Sequence, residues 1–199
     1  MSRSKLQVLA VIVLATMLVV VGMRLRASAH SAALSLDQVV LHESDLSGQV
    51  TWMEKGSAED TSAADMGKFV GLSLQDLVEA KAVYFAVCMG SGSNCGPGAI
   101  AEGVYRYRTE EAAASAVKGV DGSHLGLSTP ILDREEFSPE GVKGQIIKAR
   151  DPAGKAFWFV GRRGNMVMVV VTVGTGGGDQ ENLLRTELPV LAKRLMEAQ

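Results

Sequence analysis

The chain has 199 residues, with 22 Asp+Glu against 20 Lys+Arg, three His, two Cys and 22 Gly. That length holds one domain plus an appendage. A composition of 47% hydrophobic and 21% charged residues excludes disorder, a collagen-like chain and a scaffold held by disulfides alone. The formal net charge of −2 leaves no basic excess to neutralise a phosphate backbone, so nucleic acid is not an expected partner.

Residues 1–29 contain no acidic residue. Arg3 and Lys5 come first, an apolar run fills residues 8–23, and Arg24 and Arg26 precede Ala27-Ser28-Ala29. That last triplet has the small-x-small pattern a signal peptidase accepts, although the two arginines beside it are unfavourable for cleavage. Two readings stand, an uncleaved anchor and a cleaved signal peptide. The uncharged stretch over residues 6–23 is 18 residues long. As a helix it spans about 27 Å, just short of a hydrocarbon core of about 30 Å. Snorkelling by Lys5 and Arg24 closes that gap. We therefore expect residues 1–29 to be a single-pass signal-anchor helix contacting the membrane through residues 6–23, with secretion after cleavage at Ala29 as the alternative.

Positive charge is nearly balanced across this segment, so the positive-inside bias does not orient it. A cysteine pair has a use outside the cytoplasm, and we expect residues 30–199 to lie there. Four of the 20 basic residues and none of the acidic ones lie in residues 1–29. Residues 30–199 thus hold 16 basic groups against 22 acidic ones, a net charge of −6 that disfavours docking on anionic lipid.

Residues 30–35 read as a linker and residues 36–199 as the domain. Residues 36–41 are apolar and of unassigned type, residues 45–48 signal a turn, and residues 49–55 alternate as a strand. Residues 57–65 are a loop or helix entry. Ser73 reads as the N-cap of a short helix through Lys81 with Leu74, Leu77 and Val78 on one face. Residues 82–87 form a buried strand, residues 88–98 a loop, and residues 99–108 a further strand. Thr109 then caps a helix with Glu110 and Glu111 in its first turn and Ala113, Ala116, Val117 and Val120 as its buried stripe.

From Gly144 the pattern is clearest. Residues 145–150 and 156–163 are strands joined by a turn at 151–154, Gly164-Asn165 is a two-residue hairpin signal, and residues 166–173 form a central apolar strand. A glycine loop over residues 174–178 leads into a last helix, with Leu184, Leu188, Leu191 and Leu195 on one stripe. Pro189 either kinks that helix or opens its second half. The expected fold class is α+β, a mostly antiparallel sheet of about five or six strands with packed helices, preceded by one N-terminal hydrophobic helix.

The Arg163-Gly164-Asn165 turn with its flanking strands, and the Thr-capped alanine-rich helix over residues 109–117, sit in a strand–helix order that resembles the PsbP-like sandwich. That layout occurs in bacterial lipoproteins and in extracellular sensor domains of some actinobacterial Ser/Thr kinases, and the resemblance covers most of residues 46–196. It implies a fold and a location, and no functional residue is carried over with it.

Cys88 and Cys95 enclose a flexible polar loop, and a disulfide between them is the expected reading in an oxidising compartment. Closing so short a ring stabilises by roughly 2–3 kcal/mol. The spacing is not the C-x-x-C of a redox pair, and the three scattered His supply no zinc spacing. The glycines over 90–98 lack the Lys-Ser/Thr pair of a P-loop, and those over 174–178 place Asp179 where a dinucleotide fingerprint needs glycine. Asp121, Ser123 and His124 lie in a loop without a nucleophile elbow. Glu110-Glu111 and Glu135-Glu136 read as solvated charges, since adjacent carboxylates do not oppose each other across a substrate. Trp52, Trp158, Phe157 and Phe159 fill a core or line an apolar groove.

If cleavage follows Ala29, His30 becomes the N-terminus and can offer amine and imidazole to copper, with His42 or His124 completing the site. No catalytic, cofactor-binding or metal-ligating residue is otherwise expected. The reading is a membrane-anchored extracytoplasmic binding or accessory domain, non-catalytic, for a protein partner or an apolar small ligand. The alternatives are a secreted enzyme with the His30 site and a structural subunit of an envelope complex.

Overall fold

The most apolar stretch of the domain becomes β7 (Met166–Gly174), and a seven-stranded antiparallel sheet is built outward from it. In this computed structural model the described residues are 35–46, 52–55, 63–89, 96–120, 131–151, 154–174 and 180–198. They belong to a compact unit spanning Ser35–Gln199. The apolar segment 6–23, His30, Cys95, Asp121, Ser123, His124, most of the loop over 88–98 and residues 175–178 of the last glycine loop lie outside them.

The strands are β1 (Trp52–Lys55), β2 (Leu77–Met89), β3 (Gly96–Tyr107), β4 (Ile131–Phe137), β5 (Lys143–Asp151), β6 (Gly154–Arg163) and β7. Their order is β1-β2-β3-β7-β6-β5-β4, with every neighbouring pair antiparallel. Two meanders, β1-β2-β3 and β4-β5-β6-β7, therefore meet along β3 and β7. The six strands expected from the sequence appear as β1, β2, β3, β5, β6 and β7, and β4, which has no strand signal in the sequence, adds a seventh at the edge beyond β5. The helices are α1 (Leu36–Val39), α2 (Glu43–Leu46), α3 (Ala63–Phe69), α4 (Glu110–Lys118) and α5 (Gln180–Glu197), with a 3₁₀ turn at Pro139–Gly141. No helix among the described residues is long and apolar enough to cross a membrane.

Strand periodicity sorts the side chains onto two faces. Tyr105, Tyr107, Ile147, Trp158, Val160, Val167 and Val169 point to one face and pack with Met66 of α3 and Ala113 and Ala116 of α4. The alternate positions, among them Ile100, Val104, Ile146, Phe159, Met168 and Val170, are also buried, together with the α5 stripe Leu184, Leu188, Leu191 and Leu195. That stripe and the α4 stripe match the sequence pattern. Thr109 caps α4 as expected, its hydroxyl accepting from the Ala112 N–H at 3.1 Å. Pro189 sits within one continuous 18-residue helix.

Two expectations are corrected, and one strand is new. The helix over 73–81 does not form, because β2 begins at Leu77 and pairs along the length of β3, starting at Leu77↔Tyr107. Asp76 adopts φ 60, a conformation that ends any helical turn there, and Val78 is 61% exposed instead of lying on a buried face. The loop between β2 and β3 is shorter than residues 88–98, since β2 runs to Met89 and β3 starts at Gly96. β4 carries so many charges (Asp133, Arg134, Glu135, Glu136) that its sequence gives no apolar alternation, yet it pairs with β5 from Ile131↔Ala149 to Phe137↔Gly144.

The Gly164-Asn165 hairpin closes β6 onto β7, with Gly164 at φ 52. Asn165 also ties the turn to β3, its Nδ2 donating to the Tyr107 carbonyl at 2.8 Å and its carbonyl accepting from the Tyr107 N–H at 2.9 Å. Further along, Gly144 and Gly161 face each other across β5 and β6. A Cβ at Gly144 would come within 2.6 Å of the Val160 carbonyl and 2.7 Å of the Phe159 ring. We predict that Gly144→Ala lowers stability by about 2–3 kcal/mol, the range of an overpacked core. Chemical denaturation of the full-length protein in detergent checks this, with an unchanged midpoint as the contrary result.

Candidate functional site

A carboxylate on a central strand should not be buried without a reason, and Glu102 of β3 is 0% exposed. It lies between Ile100 and Val104 on the face toward α5, opposite Val83 of β2 and Val170 of β7. Residues 35–46 pack over the same region. Leu36, Val39, Val40, Leu41 and Leu46 of this strap are each 3% exposed or less. Ser35 caps α1 with its hydroxyl, and Val40 continues in extended backbone.

Polar groups bind the strap to the layers beneath it. The Leu41 N–H donates to Glu102 Oε2 in a very short hydrogen bond, while Oε1 is buried without a hydrogen-bond partner among the described residues. Arg194 of α5 donates from Nη1 to the Val40 carbonyl at 3.2 Å. The same guanidinium grips Asp45 of α2 at both oxygens, at 2.8 and 2.6 Å, in the bidentate geometry that makes arginine–carboxylate pairs strong. Asp45 further accepts from the His42 N–H at 2.7 Å. Glu187, one α5 turn before Leu191, is 1% exposed.

The charges are set by this geometry. Burial pushes the Glu102 carboxyl up to about 8, only partly opposed by the Leu41 N–H and Arg194, with Asp45 and Glu187 adding to the rise. Burial, helped by the negative charge of Asp45 and opposed by Arg194, likewise pushes Glu187 up to about 7. Burial also works against the Asp45 charge, but the bonds from Arg194 and the His42 N–H outweigh it and hold that carboxyl below its ordinary value. Counted over Asp45, Glu102, Glu187 and Arg194, the charge is zero when Glu102 and Glu187 carry protons and −2 when they do not.

A second feature lies at the C-terminal end of β3. A hollow of about 310 Å³ is lined by Ser73, Gln75, Asp76, Thr109, Glu111 and Ser115, with Ala112 its one apolar contributor. The hollow is polar, and its two carboxylates make it a poor place for an anion or an apolar molecule.

The residues singled out from the sequence scatter. Glu110 is exposed and pairs with Arg162 at 3.1 Å, and Glu136 is exposed. Glu135 departs from the solvated reading, because Arg185 of α5 donates to it at 2.5 Å and Lys148 stands 3.7 Å away. Arg185 also lies 5.2 Å above the Phe137 ring, so this network staples the β4 edge to α5. Trp158 fills the core on the α4 face and Phe157 and Phe159 fill it on the α5 face, while the Trp52 side chain lies outside the described residues. His42 is exposed. Among the described residues no group of three or more His, Cys, Asp or Glu is arranged to hold a metal ion.

Glu102, Glu187, Asp45 and Arg194 were not apparent as a set from sequence. The signal was present in part, since Glu102 alternates with Ile100 and Val104, and Glu187 and Arg194 fall on the leucine stripe of α5. Asp45 is 149 positions away from Arg194 in sequence, and their meeting has no local trace.

Stability depends on pH here with a definite sign. A carboxyl whose folded pKa is raised binds more protons folded than unfolded, so its contribution to stability is present at low pH and is lost as pH rises through the folded value. A rise from 4.5 to about 8 corresponds to a cost on the order of 5 kcal/mol for keeping Glu102 ionised in place. We predict that Glu102→Gln raises the urea midpoint at pH 8 and changes it little at pH 5. A fall at pH 8 is the contrary result.

No family model matches the chain, and no curated protein is similar to it. Among solved structures, the extracellular domain of PknH from Mycobacterium tuberculosis is similar at 13% identity and a TM-score of 0.45, over 80% of this chain and 92% of that one. At that score the similarity carries no argument about what this chain does.

Proposed function

We propose that this protein is a membrane-anchored binding domain that works outside the cytoplasm. The observation that carries the reading is the uncharged stretch over residues 6–23 between Lys5 and Arg24, in a leader without a single acidic residue. The cysteine spacing supports the same compartment. The reading carries a Cys88–Cys95 disulfide, the expected use of two cysteines so spaced outside the cytoplasm. The oxidising compartment stands or falls with that bond.

The partner is a protein surface in this reading. The polar lining of the hollow beside α4 argues against an apolar small ligand there. The net charge of −6 over residues 30–199 favours a partner with a basic contact face.

The intact mass of the protein isolated from its own cells, with and without reduction before alkylation, tests the reading. We expect a full-length mass and two thiols that alkylate only after reduction. A mass beginning at His30 overturns the anchor, and thiols that alkylate without reduction overturn the oxidising compartment.

A further inference from the structure

Twelve residues, 35–46, form the strap that comes after the N-terminal segment, and their attachment to the sheet has an unusual composition. Five apolar side chains are buried beneath it. Of its polar attachments to the layers below, the Leu41 N–H goes to Glu102, and the Val40 carbonyl and Asp45 both go to Arg194. A further tie is an ion pair at the outer edge, Lys81 of β2 to Asp37 at 2.7 Å, where both side chains are largely exposed and contribute little.

We propose that residues 35–46 are a proton-controlled strap, closed on the sheet while Glu102 and Glu187 carry protons and opened as both ionise. The groups that face this cluster from each packed element are Asp45 and His42 of the strap, Glu102 of β3, and Glu187 and Arg194 of α5. With both glutamic acids neutral, Arg194 and Asp45 cancel and the Leu41 N–H meets a neutral carboxyl oxygen. With both ionised, one guanidinium faces three carboxylates, and Glu102 and Glu187 are each 1% exposed or less. Lifting the strap removes that imbalance in two ways. Water reaches Glu102, and Asp45 leaves with the strap. Because α1 and α2 have four residues each, the strap has no helix long enough to hold itself together once its anchor points are lost.

The direction is fixed by the chemistry. Opening returns Glu102 to an ordinary, more acidic carboxyl, so the open form binds fewer protons and gains as pH rises. The proton released by Glu102 makes the opening constant climb roughly tenfold per pH unit until the closed-state carboxyl itself ionises, and below pH 7 Glu187 adds to that climb, because the departure of Asp45 lowers its proton affinity too. The strap is therefore tight in mildly acidic surroundings and loose in mildly alkaline ones. It links the pH at the domain to the freedom of the segment that precedes the sheet.

Amide hydrogen exchange of the full-length protein in detergent, followed by mass spectrometry from pH 5 to 8.5 and corrected for intrinsic rates, reads this out. Protection over residues 40–46 is expected to fall by roughly tenfold per pH unit relative to α4, and to level off near pH 8. Glu102→Gln is expected to keep the strap protected at pH 8.5. Protection that tracks α4 at every pH overturns the proposal, as does an unchanged slope in Glu102→Gln. If that variant does not fold, Glu187→Gln decides instead, since it must reduce the slope below pH 7, and an unchanged slope there is equally fatal.

Discussion

The pairing of β3 with β7 is the interaction on which the rest of this molecule depends. Each meander is local and could form from hairpins alone, but neither buries both faces by itself. The seam runs from Gly98↔Gly174 to Arg106↔Met166, and it places the valine-rich β7 in the middle of the sheet with β3 beside it. α3 and α4 then cover one face and α5 the other, each helix laying down a stripe whose spacing was set by its own sequence. The chain passes from β3 through α4 to the far edge, so β4 to β7 wind back toward the seam. That long return explains why β4 can be short of apolar residues and still be held. It is gripped by β5 and by Arg185 of α5, not by a core of its own.

The seam also creates an electrostatic difficulty. A carboxyl at position 102 sits at its centre, between aliphatic neighbours on both adjoining strands, where an ion is strongly disfavoured. The structure answers with one backbone N–H from the strap and with the field of Arg194, which is already committed to Asp45. The same four groups thus close the domain over its first residues and make that closure sensitive to protons. A leucine at position 102 would avoid the cost of a buried charge but would leave the Leu41 N–H without its acceptor.

Much of the architecture was legible in the sequence because local signals agreed with the global fold. The hairpin at Gly164-Asn165, the capped α4 and the leucine stripe of α5 all have their cause within a few residues. Sequence failed where pairing overrode propensity. Ser73, Leu74, Leu77 and Val78 look helical on their own, but twelve residues of register with β3 claim the chain from Leu77 onward. The apolar patch over 36–41 had no type in sequence because neither periodicity is complete in it. It is a short helix that runs into extended chain, shaped by the layers beneath. The buried acids were missed for the opposite reason. A charged residue in an alternating strand is normally assigned to the wet face, and only the strap reveals that position 102 has no wet face.

The behaviour of the strap rests on the protonation of one carboxyl at neutral pH. The most direct measurement is a ¹³C NMR titration of the Glu102 side-chain carboxyl in the full-length protein, with the Glu102→Gln spectrum identifying the resonance. A proton-controlled strap requires a midpoint near 8. A midpoint close to the ordinary glutamate value of about 4.3 would contradict it.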